Sequence, residues 1–147
     1  VEAYLVAAAL VASMAQRLVR RICPHCKEQE TEIDPEIRQE IADSVGCESE
    51  EVQTYCGKGC PECNESGYRG RVALFEMFLL DEEIQDMISE HIRTSELRRT
   101  ARKRGMRSLR EDGWEKVMQG ATTIEEVARI TGAMQITYRG KRAETHA

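Results

Sequence analysis

Aromatic side chains are scarce in this chain, at 5% of 147 residues with a single Trp. That removes the stacking platforms on which single-strand nucleic-acid binders hold bases. An excess of basic charge is missing too. Twenty-one Lys+Arg face 26 Asp+Glu for a formal charge of -5, so an overall electrostatic grip on nucleic acid is not expected and any basic surface must be local. No apolar run is long enough to span a membrane. There is no Gly-x-x-x-x-Gly-Lys-Ser/Thr phosphate loop, no nucleophile elbow and no His-Glu-x-x-His pair, so nothing here is expected to perform catalysis alone. What remains is ordinary globular material. Hydrophobic residues at 41% and charged residues at 32% supply one core, and the length suits one domain or one compact unit plus part of another.

The stretch from Val1 to Ala15 is apolar and ends in Ala12-Ser13-Met14-Ala15, superficially like a secretory segment with a small-residue cleavage site. Its only early charge is Glu2 and it has no initiating Met, so it is read instead as a helix, residues 1 to about 13, buried in a larger protein. On that reading the chain is a fragment. The domain against which the helix packs would precede Val1.

Cysteine usage carries the strongest signal. Six cysteines fall well short of the ~8–10% that marks disulfide-stapled secreted scaffolds. Four of them form two Cys-x-x-Cys pairs, Cys23/Cys26 and Cys60/Cys63. That spacing lets two thiolates point at one ion from a single turn, and two such turns complete a tetrahedral site. Structural zinc is therefore expected. With all four positions filled by protein, no place is left for water or substrate. The 33 residues between the pairs exceed the ~15–20 of a zinc ribbon, and a helix inserted between them accounts for the excess. Two readings compete: a dithiol redox pair at Cys23-Pro24-His25-Cys26, and disulfides. The redox reading needs a helical apolar stripe after the first Cys, whereas Lys27 to Glu32 is an almost unbroken polar run. Cys47 and Cys56 are read as spare thiols and His25 as a solvated spacer, although imidazole has the chemistry to replace a thiolate.

Gln16 to Ile22 suits either a continued helix or a strand carrying Arg17, Arg20 and Arg21. Asp34-Pro35 opens the inserted helix, Ile37, Ile41 and Val45 form its stripe, and Gly46 ends it. The glycines around Cys56 to Gly67 fit tight chain reversals. Arg71 to Leu80 reads as one buried strand. Helical patterns follow: one capped by Asp81 and reaching His91, one opened by Thr94 or Ser95 and stopped before Gly105, and one from Ser108 to Gln119. A last helix is opened by a Thr123/Glu126 capping box and stopped by Gly132. From Arg139 the polar tail is expected to be mobile.

Two sets of cations stand out. Arg98, Arg99, Arg102, Lys103, Arg104, Arg107 and Arg110 read as a solvated helix face, with an acidic partner, a phosphate or an anionic membrane surface as competing readings. Arg17 and Arg20 follow an apolar segment and need a counter-charge if buried, from a phosphate or from a carboxylate elsewhere in a larger protein or a neighbouring subunit.

The run from Val1 through Ala15-Gln16-Arg17-Leu18-Val19-Arg20-Arg21-Ile22-Cys23-Pro24-His25-Cys26 resembles the C-terminal part of the secretion ATPases. So do Gly59-Cys60-Pro61-Glu62-Cys63-Asn64, Gly67-Tyr68-Arg69-Gly70-Arg71, Gly105 to Gly113 and Gly120 to Val127. These are the hexameric motors of type II secretion and type IV pilus assembly. The resemblance covers nearly all of the chain up to about Thr131. It implies a cytoplasmic protein, peripheral to the inner membrane, whose RecA-like core binds ATP and Mg2+ and drives an inner-membrane platform. The Walker motifs would lie before Val1, leaving this piece inactive alone, and Gln16 to Ile22 would be a core strand. The fold class implied is α/β: the C-terminal end of a RecA-like domain with an inserted tetracysteine zinc subdomain, then a mainly α-helical subdomain. Residues 1-22 would end the RecA-like core and 23-67 would hold the zinc. Residues 68-80 would return to the core, 81-132 would form the helical subdomain, and 133-147 would be a tail. Arg17 and Arg20 would serve the nucleotide or a seam between subunits of the homo-hexamer. The four cysteines favour an assembly or secretion motor over a retraction motor. Asn64-Glu65-Ser66-Gly67 departs from the more usual Asn-Gly-Thr-Gly, which bears on loop geometry. A free-standing zinc-stabilised interaction module is the alternative, against which stands the start of the chain inside an uncapped apolar helix.

Overall fold

The computed structural model describes residues 2–132; the expected mobile tail, 133–147, lies outside the described residues. Six helices and four strands make a small mixed α/β fold: α1 Ala3–Ala9, β1 Ala12–Ile22, β2 Lys27–Glu30, α2 Pro35–Val45, β3 Thr54–Gly57, β4 Tyr68–Leu79, α3 Glu82–Ser89, α4 Thr94–Lys103, α5 Leu109–Met118 and α6 Ile124–Thr131.

The strands form two antiparallel ladders, β1 with β4 and β2 with β3. The long ladder runs in register from Ala12↔Leu79 to Arg20↔Arg71, then shifts before Ile22↔Tyr68. The short one runs from Lys27↔Gly57 to Glu30↔Thr54. Side chains alternate across a strand, so this register puts Val19, Val72 and Leu74 on one face and Met14, Leu18, Phe75, Met77 and Leu79 on the other. The first face meets the helices. Val19, Leu74, Ile37, Ile41, Trp114, Val117, Ile124 and Val127 make one buried core. The second face is open, with Met14 55%, Leu18 49%, Met77 48% and Leu79 62% exposed.

Local signals explain the helices well. Asp34 Oδ1 accepts the N–H groups of Glu36 and Ile37, Pro35 sits in the first turn, and Gly46 closes α2 in the left-handed conformation. Asp81 caps α3 through the Ile84 N–H. Ser108 and Glu111 form a reciprocal capping box on α5.

Four expectations need correction. The first helix stops at Ala9 and buries only Ala7, and the strand begins at Ala12, because β4 offers Ala12 to Ala15 a ladder of backbone bonds. The strand spanning Arg71 to Leu80 starts earlier, at Tyr68, and is half open: only Leu74 of β4 is buried. His91 lies beyond α3, with φ +57. Thr123 caps α6 by accepting the Glu126 N–H, but the Glu126 carboxylate turns away to a partner more than a hundred residues back.

Candidate metal centre

Both Cys-x-x-Cys turns occur where the chain steps between ladders: Cys23 to Cys26 links β1 to β2, and Cys60 to Cys63 lies between β3 and β4. Pairing β1 with β4 and β2 with β3 therefore brings the turns together across 37 residues of sequence. Backbone bonds fix the approach. The Cys23 N–H donates to the Gly67 carbonyl at 3.0 Å and the Lys58 N–H to the Cys26 carbonyl at 3.1 Å. Gly57 and Gly67 touch so closely that a Cβ on Gly67 would lie 2.4 Å from the Gly57 carbonyl oxygen, and Gly67 has φ +76. Only glycine meets both demands.

The four sulfurs of Cys23, Cys26, Cys60 and Cys63 all lie within 4.8 Å of one another. Cys23 Sγ to Cys60 Sγ is 3.9 Å, Cys26 to Cys63 is 3.9 Å and Cys60 to Cys63 is 3.7 Å. A zinc–sulfur bond of about 2.3 Å sets tetrahedral sulfur–sulfur edges at about 3.8 Å. The donor set thus fits zinc in number, softness and spacing. It does not fit a disulfide, whose sulfurs stand about 2.05 Å apart, and all six cysteines are free. A redox helix is also absent: Cys26 leads into β2.

N–H donors converge on this sulfur cluster. Gly59 N–H donates to Cys26 Sγ, and Cys60 and Gly67 N–H donate to Cys63 Sγ, each at 3.3 Å. Burial pushes Cys63 upward, but donation from Cys60 and Gly67 and from neighbouring thiols outweighs it and brings the thiol to about 6. Burial dominates at Cys26, which is pushed up to about 12, and it raises Cys60 as well. Protein groups thus favour the Cys63 thiolate, and a bound cation would supply the charge that lets Cys26 and Cys60 ionise.

The other sequence candidates fall as follows. His25 is exposed and stands outside the quartet. Cys47 packs beside the core and Cys56 faces Glu28 across the short ladder. Asn64 and Glu65 both take left-handed conformations, φ +51 and +60, so the loop keeps a left-handed geometry at Glu65 where the more usual motif has glycine. Arg17 is exposed, and among the described residues its side chain donates to the Gln16 carbonyl.

Arg20 has its counter-charge inside the chain. Its backbone N–H donates to Glu126 at 2.8 Å, and its Nε and Nη2 donate at 3.0 and 2.8 Å. Arg129 adds two donors at 3.2 and 2.9 Å. Burial would raise the Glu126 carboxyl, yet the Arg129 and Arg20 donors hold it at about 2. Arg20 also lies 4.0 Å over the Tyr68 ring, and the Tyr68 hydroxyl is 3.0 Å from Thr123 Oγ1. The clamp ties α6 to the end of β1, three residues before Cys23. A second, half-buried clamp joins α2 to α5: Arg110 and the Trp114 Nε1–H both donate to Glu40, the latter at 3.1 Å. Neither pairing has a local sequence signal.

Comparison with known proteins adds a third kind of observation. Residues 1–129 match the family model of the type II/IV secretion system proteins. The chain is 42% identical over 131 residues to the type IV pilus assembly ATPase PilB of Thermus thermophilus, which covers 89% of this chain and 14% of that protein. It is 41% identical over 135 residues to the type II secretion system ATPase E of Vibrio cholerae, covering 89% of this chain and 25% of the relative. It is 37% identical over 131 residues to the type II secretion system protein HxcR of Pseudomonas aeruginosa, covering 89% and 24%.

Proposed function

The chain belongs to the type II/IV secretion system protein family, and from that premise we propose that it is the C-terminal part of a hexameric ATPase powering type II secretion or type IV pilus assembly. In this reading residues 1-22 and 68-80 complete a RecA-like core, 23-67 form a zinc subdomain and 81-132 a helical subdomain. ATP and Mg2+ bind the preceding part of the parent, which is cytoplasmic and peripheral to the inner membrane. Among the described residues no helix is long and apolar enough to cross a membrane.

The observation that carries the reading is the open apolar face of β1 and β4. Leu79 at 62%, Met14 at 55% and Leu18 at 49% are exposed there, and Tyr4, Leu5 and Val11 of the first segment are exposed as well, at 58%, 51% and 77%. Apolar patches of this kind mark surfaces that another surface covers. Among the described residues β4 is the one strand that β1 pairs with, leaving backbone groups ahead of Arg20 for a further strand. The chain spans 14% to 25% of the relatives named above, so the rest of such a protein supplies ample covering structure.

The sulfur quartet supports structural zinc in this role. When bound, zinc contributes folding free energy and holds the two turns together. Cys23, Cys26, Cys60 and Cys63 would hold it, with the N–H groups of Gly59, Cys60 and Gly67 orienting the thiolates. Of the two candidate nucleotide or seam arginines, Arg17 is the freer, since Glu126 already engages Arg20.

The test is to read the gene upstream of the codon for Val1 and to assay the continuous protein. A Gly-Lys-Ser/Thr phosphate loop and ATP turnover are expected, and their absence would defeat the assignment. Arg17→Ala in that protein should lower turnover; wild-type rates would remove Arg17 from the nucleotide site and the seam.

A further inference from the structure

Charge is distributed very unevenly along this acidic chain. Between Cys23 and Gly67 there are twelve acidic residues and three basic ones, whereas between Arg93 and Arg110 there are eight basic residues and one acid. Many of the cations are already matched. Arg102 pairs with Glu111, Arg104 with Asp81 and Glu83, Arg107 with Glu115 and Arg110 with Glu40. Arg93, Arg98, Arg99 and Lys103 have no carboxylate partner among the described residues, and all four are exposed.

On α4, at about 100° per residue, Arg98, Arg102, Arg99 and Lys103 share an arc of about 140°. Arg98 with Arg102 and Arg99 with Lys103 are i,i+4 like-charge pairs, which destabilise a helix. Of these four, Arg102 alone meets a carboxylate among the described residues. The acidic side mirrors this. Glu36, Asp43, Glu48, Glu50 and Glu51, on α2 and the turn after it, are exposed and lack a cation partner among the described residues. Each patch costs stability in the single chain, and each has the chemistry the other needs.

We infer that the basic face of α4 is an interaction surface whose partner is the acidic face of α2 and its following turn on a second copy of this chain. The contact joins different patches on the two copies, so it propagates head to tail and closes where the rotation allows. Charge matching of this kind selects the partner face and its register more than it adds affinity. The inference rests on the proposed assembly of like subunits and adds to it which surfaces meet.

The zinc-loaded 147-residue chain, half of it labelled with 15N, is treated with a carbodiimide that joins amines to touching carboxylates. Coupled peptides containing Lys103 and one of Glu48, Glu50 or Glu51 are expected in mixed-label pairs. They should disappear in about 1 M salt, where the screening length is about 3 Å. Arg98→Glu/Arg99→Glu, which keeps the Lys103 amine, should lower mixed-label coupling between the patches at least tenfold, or ~1.4 kcal/mol, within reach of exposed pairs at ~0.2–1 kcal/mol each. Glu36→Lys/Asp43→Lys, which keeps Glu48, Glu50 and Glu51, should do the same, and mixing the two variants should restore coupling between Lys103 and those carboxylates. Circular dichroism and zinc content check that both variants fold. Coupling confined to single-label pairs, or none in a chain that keeps its zinc, overturns the inference and leaves the ATPase assignment to the phosphate-loop test. A basic-face variant whose sole defect is lost binding to phosphatidylglycerol vesicles overturns it in favour of a membrane partner.

Discussion

Replacing Glu126 by Gln removes one negative charge while keeping the shape and a carbonyl oxygen for the Arg20 N–H. Glu126 is fully buried, and its carboxyl falls from an ordinary 4.5 to about 2. At ~1.36 kcal/mol for each factor of ten, that difference is worth ~3 kcal/mol. The Arg20 and Arg129 side chains that provide it are 48% and 54% exposed, so solvent screens part of the attraction and the expected loss is ~2 kcal/mol. That is about a thirtyfold fall in the folded-to-unfolded ratio. Urea denaturation of the zinc-loaded chain, followed by fluorescence of the buried Trp114, measures it. The folded value lies below the unfolded one, so the contribution is complete above about 4.5 and is lost as pH falls toward about 2. Taking the difference between Glu126→Gln and the parent removes effects common to both chains, such as metal release in acid. A difference below ~0.5 kcal/mol at pH 7, or one that does not shrink in acid, would refute the clamp.

Gly67→Ala should weaken the metal site, because φ +76 and the 2.4 Å approach to the Gly57 carbonyl both oppose a Cβ; the left-handed conformation alone costs ~1–2 kcal/mol. Competition with a chelator measures it, and unchanged zinc retention would contradict it. Cys47→Ser and Cys56→Ser should leave the metal content of the chain at the parent level, whereas Cys63→Ser should lower it, as elemental analysis will show. Asp34→Ala removes the side-chain cap of α2 and should lower stability by ~1 kcal/mol in urea titration.

Where the determinants are local, the sequence was readable. Asp34-Pro35 with the stripe Ile37, Ile41 and Val45 yields α2 with its cap and its Gly46 stop, and the two Cys-x-x-Cys turns identify a quartet that the fold brings together. Where the determinants are distant, it was not. Ala12 to Ala15 have the composition of a helix and become strand because β4 pairs with them. β3 carries Cys56 and Gly57, which read as turn residues, and is a strand through its ladder with β2. The apolar run in β4 suggested full burial, but one face of a two-stranded ladder is open. Glu126 looked like half of a capping box, and only the meeting of α6 with β1 reveals its real partner, Arg20.

X-ray absorption at the zinc edge, together with metal content, tests the central claim most directly. One zinc per chain with four sulfurs at about 2.3 Å is the predicted result. A chain purified under reducing conditions that holds no zinc, or zinc bound through nitrogen or oxygen in place of any of the four sulfurs, would contradict it.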